Sequence, residues 1–92
     1  MINIIADLSS DPMLFDVTIK EENGETYHKV TLLQETYHSI FGQSRDPKVC
    51  VEAAFKFLLE REPKEMIMST FDITVISMYF PDFPEVIQKY LE

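Results

Sequence analysis

The chain has 92 residues, 46% of them apolar, and a formal net charge of −8 from sixteen acids and eight bases. That is the size of one domain, with enough apolar content for a core; the size scaling for 10.8 kDa gives roughly 5,500 Å² of folded surface. Residues 1–46 carry eight acids and three bases and residues 47–92 eight and five, so neither half attracts a phosphate backbone.

In chain order, the first segment is NIIADL, too short for its pattern to separate a strand from an irregular apolar plug. Ser9-Ser10-Asp11-Pro12 interrupts it. In LFDVTIKEENGETYHKVTLL, Phe15, Val17 and Ile19 alternate with Asp16, Thr18 and Lys20, the period of a half-buried strand. Asn23-Gly24 is a strong type I′ turn signal, which predicts an antiparallel hairpin with Glu22 facing Glu25. That register places Phe15 opposite Leu32, Val17 opposite Val30 and Ile19 opposite His28 on one face. The other face then carries Asp16/Thr31, Thr18/Lys29 and Lys20/Tyr27.

The period changes after the hairpin. Leu33, Tyr37, Ile40 and Phe41 recur at helical spacing, and Gly42 is placed to end that segment. Residues 43–46 form a linker. Asp46-Pro47 is a cap followed by the favoured first-turn proline, and KVCVEAAFKFLLERE reads as the longest helix. Cys50, Ala53, Ala54, Phe57, Leu58 and Arg61 lie along one side of it, and Val51, Phe55 and Leu59 widen the apolar surface. A helix so apolar is either central or covered by a partner. Pro63 then ends it and opens a short KEMIMS helix. Asp72 can cap ITVISMYF, whose β-branched run leaves a strand as the alternative while the cap and the short spacing to neighbouring turns favour a helix. Pro81 stops it, and EVIQKYLE forms a last amphipathic helix with Val86, Ile87, Tyr90 and Leu91 inward. The predicted class is α+β: an N-terminal antiparallel hairpin, with a third strand if residues 2–8 join it, packed on three to five short helices as a single domain, 1–92.

Groups suited to chemistry are sparse. His28, His38 and Cys50 fall on separate elements with no metal-ligand spacing, so no metal or cofactor is expected. Cys50 lies on the apolar side of the long helix, where a thiol packs and stays inert, and a lone cysteine excludes an internal disulfide. His28 faces the core side of its strand as a locally hydrogen-bonded imidazole. Only two glycines are present, one at each predicted turn, so there is no phosphate cradle. No apolar run is long enough to span a membrane, and the first residues lack the pattern of a signal peptide, so a cytoplasmic location is expected.

The most informative polar group is EREPKE with the following Asp72: Arg61, Glu62, Lys64, Glu65 and Asp72 are the candidate interaction residues. Arg61 is expected to fold back and tie the long helix to the loop near Asp72, specifying a corner. Pro63–Ser69, a turn at Thr70-Phe71 and Asp72–Phe80 have helix–turn–helix spacing, but ITVISMYF offers bases only Thr and Ser. The run FKFLLEREPKEMIMSTFDITVISMYFPDFPEVIQKYL resembles a group of small, uncharacterised bacterial proteins. The shared features fall at Phe57 to Glu65, Phe71-Asp72 and Tyr79-Phe80-Pro81. The group carries Arg where this chain has Met78, and the resemblance implies no catalytic or ligand-binding role. The resulting expectation is a non-catalytic interaction or accessory domain with a protein partner or self-association, not nucleic acid or membrane. The alternatives are a helix–turn–helix-like DNA-binding regulator and a small enzyme pairing His28 or His38 with a carboxylate.

Overall fold

The computed structural model describes residues 1–42 and 45–91. Four strands, β1 (Ile2–Asp7), β2 (Met13–Glu21), β3 (Gly24–Leu32) and β4 (Thr70–Asp72), form one sheet in the order β1-β2-β3-β4. The helical part comprises α1 (Gln34–Thr36), a π-helical turn over Tyr37–Phe41, α2 (Pro47–Leu59), a 3₁₀ turn over Lys64–Met66, α3 (Thr74–Tyr79) and α4 (Phe83–Tyr90). The class is α+β, and the folded surface of 5494 Å² agrees with the size scaling.

Alternation decides the faces of the sheet. Ile4, Phe15, Val17, Ile19, His28, Val30 and Leu32 are buried beneath the helices, while Asp7, Leu14, Lys20 and Tyr27 are exposed on the other side. β1 pairs antiparallel with β2, so residues 2–7 are a strand.

The hairpin register differs from the expected one by two residues. Glu21 pairs with Gly24, so Glu22-Asn23 forms the loop and Gly24 enters the ladder with φ at 129°. Phe15 therefore faces Val30, Val17 faces His28 and Ile19 faces Thr26. A slip of two keeps every side chain on its own face, so the apolar pattern cannot distinguish the two registers. Charge can. The observed pairing removes the Glu22/Glu25 repulsion and sets Lys20 opposite Glu25 and Asp16 opposite Lys29.

The Asp46 carboxylate accepts the Lys48 N–H at 2.8 Å, with Pro47 in the first turn, as the cap signature requires. α2 is the central helix: Cys50, Val51, Ala53, Ala54, Phe55, Phe57 and Leu58 are all buried. Its apolar surface, apart from the 44%-exposed Val49 near its start, is thus covered by the rest of the chain. Gly42 closes the π-helical turn at φ 77°, and the expected linker lies partly outside the described residues. Phe57 meets Phe80, Phe83 and Tyr90 edge-on at 5.7, 5.0 and 5.9 Å, so the two aromatics around Pro81 fold α3 and α4 onto α2.

The largest departure lies in residues 63–72. KEMIMS forms only one 3₁₀ turn, and Ile67 is extended at φ −75°, ψ 132°. Thr70-Phe71, expected as a turn, forms with Asp72 a strand parallel to β3 with Phe71 beside Val30. Parallel pairing needs a long crossover, and residues 33–69 with α2 supply it. The two-helix geometry required by a helix–turn–helix is therefore not formed.

Candidate functional site

An apolar groove of about 380 Å³ opens between the 63–72 segment and α3. Its buried lining comes from Leu58, Ile67, Phe71 and Ile76. Met66, Met68 and Tyr79 stand exposed along its sides, at 67%, 47% and 68% of full accessibility. Val75 and Phe80 complete the wall, and among the described residues Glu62 is the only charged one in the lining.

Three polar side chains hold the Met-bearing wall in place. At its start, the Lys64 ammonium donates to Asn23 Oδ1 at 2.7 Å and to Glu65 Oε2 at 2.7 Å, and pairs with Glu21 at 3.1 Å. This ties the 3₁₀ turn to the hairpin tip. In the middle, His28 Nδ1 lies 2.7 Å from the Met68 carbonyl and Nε2 2.9 Å from Thr26 Oγ1. A carbonyl only accepts, so the ring carries its proton on Nδ1. The imidazole is 3% exposed and stacks obliquely on Phe55 at 5.4 Å. At the end, Asp72 Oδ1 accepts from Thr31 Oγ1 at 2.5 Å, while Oδ2 accepts from the Thr74 N–H at 3.1 Å and its hydroxyl at 2.6 Å. The same carboxylate thus fixes β4 against β3 and opens α3.

The expected interaction residues consequently separate. Glu62 borders the groove, Lys64 and Asp72 anchor its wall, and Glu65 is exposed beside Lys64. Arg61 does not reach Asp72. Its guanidinium lies 3.6 Å above the Phe57 ring centroid, donates to the Phe57 carbonyl at 3.0 Å and approaches Tyr90 Oη at 3.4 Å. The short path to the electron-rich Phe57 face, one helical turn back, outcompetes the longer reach to a carboxylate already satisfied by two threonines. The expected tether to Asp72 is not formed; the nearby lysine, Lys64, makes a different one, to the hairpin tip.

The hydrogen bonds with Glu65 and Glu21 raise the Lys64 pKa above the ordinary lysine value, against the opposing effect of desolvation. The Lys64 hydrogen bond holds the Glu65 carboxyl below the ordinary glutamate value. Burial pushes the Cys50 thiol up to about 11.

Among the described residues no three His, Cys, Asp or Glu side chains form a metal-binding group. Asp16 and His28 border one hollow of about 390 Å³ near the open face of the sheet, yet both His28 nitrogens are occupied by Met68 and Thr26. His38 is exposed on the π-helical turn, against the Tyr37 ring at 5.5 Å.

KEMIMS reads as helical, so the local pattern hides the groove. The one available signal was alternation: Met66 and Met68 are exposed on either side of buried Ile67, a period of two. Searches against protein-family models, curated proteins and solved structures returned no match.

Proposed function

We propose that the protein is a non-catalytic interaction module that receives an amphipathic helix of a protein partner in the Met66/Met68/Tyr79 groove. The groove itself carries this reading: a concave apolar strip flanked by two exposed methionines, on a wall held by Lys64, His28 and Asp72. Methionine side chains are unbranched and polarizable, and repack around varied apolar anchors. The Glu62 lining and the net charge of −8 favour an occupant with lysine or arginine beside its apolar stripe.

The five methionines provide the test, because Met13 is buried, Met66 and Met68 line the groove, and Met1 and Met78 lie off it. A designed leucine/lysine amphipathic peptide, titrated into protein carrying ¹³C-methyl methionine, is expected to shift Met66 and Met68 saturably. Met1 and Met78 should stay in place, and Met68→Glu should abolish the response. A leucine/glutamate peptide of the same pattern is the control. Equal responses to both peptides, or shifts that ignore Met66 and Met68, would overturn the reading.

A further inference from the structure

We infer that a second copy of this chain pairs with β1 across a twofold axis, joining the two sheets into one. None of the groove residues takes part, so the inference stands apart from the peptide-binding reading.

Backbone direction comes first. The Met1 amino group donates to the Lys20 carbonyl at 2.7 Å, and the Lys20 N–H donates to the Met1 carbonyl at 2.8 Å. Met1 and Lys20 are therefore a hydrogen-bonded pair, and such pairs recur at every second position of an antiparallel ladder. In the β1–β2 register, Asn3, Ile5 and Asp7 accordingly turn their N–H and C=O groups toward β2. Ile2, Ile4 and Ala6 turn theirs to the open edge, and among the described residues no hydrogen bond takes them up there.

The strand itself carries none of the usual guards. From Ile2 to Ala6 there is no charge, no proline and no break in register, in a chain of net charge −8. Its outward side chain Ile5 is 75% exposed. The opposite edge, β4, has only three residues, and Asp72 there is locked to Thr31.

Self-pairing then has one preferred register. Directly opposed residues share a face, so a twofold must centre on a residue. Centring it on Ile4 sets Ile4 against the partner's Ile4 and Ile2 against the partner's Ala6. Every outward N–H and C=O from Ile2 to Ala6 finds its complement, whereas a centre on Ile5 leaves Ile2 opposite a residue beyond the strand. Ile2, Ile4 and Ala6 pack on or within the core, so the core continues across the axis. On the other face, Asn3 covers the partner's Ile5.

Helix α2 agrees in charge. Lys48, Val49 and Glu52 flank the β1 edge across a groove of about 320 Å³, and Val49 is 44% exposed. The twofold that reverses β1 reverses α2 with it, setting Lys48 toward the partner's Glu52 and the reverse. This is the self-complementarity that an isologous contact requires.

Sedimentation equilibrium tests the pairing. The wild type is expected to reach twice the 10.8 kDa monomer mass as concentration rises from micromolar to millimolar. Ala6→Pro removes an outward N–H and leaves the β1–β2 ladder intact, and should weaken association by about tenfold or more. Lys48→Glu should weaken it at low salt, and adding Glu52→Lys should restore it. Hydrogen exchange on the wild type supports the pairing if protection of the Ile2, Ile4 and Ala6 amides rises with concentration. A wild type that stays monomeric throughout, association indifferent to Ala6→Pro in a folded variant, or free exchange of those amides at every concentration overturns it.

Discussion

Lys64 reaches back 41 positions to place its ammonium 2.7 Å from Asn23 Oδ1 at the hairpin tip. This contact uses both halves of the molecule: the proline-led turn after α2 presents the lysine, and the Glu22-Asn23 loop presents the amide. The Lys64 side chain is 1% exposed, whereas its partners Glu21 and Glu65 are 45% and 56% exposed. Solvent therefore screens the two ion pairs, and the packing of the buried lysine stem carries more of the restraint.

Replacing the cation tests this directly. Lys64→Met preserves the stem but leaves Asn23 without its donor and brings Glu21 and Glu65 together unneutralised. A lower thermal midpoint than for Lys89→Met, a change at an exposed position, is expected. Amide exchange should also speed up at Asn23 and Met66 before it does in α2. Equal midpoints for the two variants would show that the tether does not restrain the corner.

The pH dependence follows from the same pair, with opposite signs for its members. Lys64 has a raised pKa, so its contribution is complete below the ordinary lysine value of 10.5 and is lost as pH rises through the folded value. Glu65 has a lowered pKa, so its contribution is complete above the ordinary glutamate value of 4.5 and is lost as pH falls through the folded value. Urea unfolding should thus show a wild-type advantage over Lys64→Met that is widest between these limits. It should shrink in strong acid and in strong base.

Phe57 is the keystone of the carboxy-terminal corner, fully buried with three rings against its own and a guanidinium over its face. Phe57→Ala should cost about 3–5 kcal/mol, and Phe57→Leu less, because leucine refills most of the volume. Arg61→Ala should cost about 0.5–1 kcal/mol through the lost cation–π contact. Chemical denaturation of the three variants checks the order. A larger loss for Arg61→Ala than for Phe57→Leu would contradict it.

Cys50 should resist modification while the chain is folded. It is completely buried in α2, and a thiol raised to about 11 holds little thiolate near neutrality. Iodoacetamide at pH 8 is expected to leave native protein unlabelled and to label it fully in guanidinium chloride. Rapid native labelling would place the thiol at an opening absent from this fold.

The sequence determined the features that depend on neighbours in the chain. Alternation assigned the sheet faces, and Asp46-Pro47, Gly42 and Pro81 marked helix limits, because capping and steric exclusion act within a few residues. The placement of His28, His38 and Cys50 on separate elements was equally legible. Tertiary structure decided the rest. Two hairpin registers shared one apolar pattern, and cross-strand charge pairs separated them. β4 is too short to declare itself and exists only because β3 offers a row of partners beside it. Arg61 and Lys64 look interchangeable in EREPKE, yet one covers a ring and the other closes the corner. Which cation meets which partner depends on where distant segments come to rest, and no local rule contains that distance.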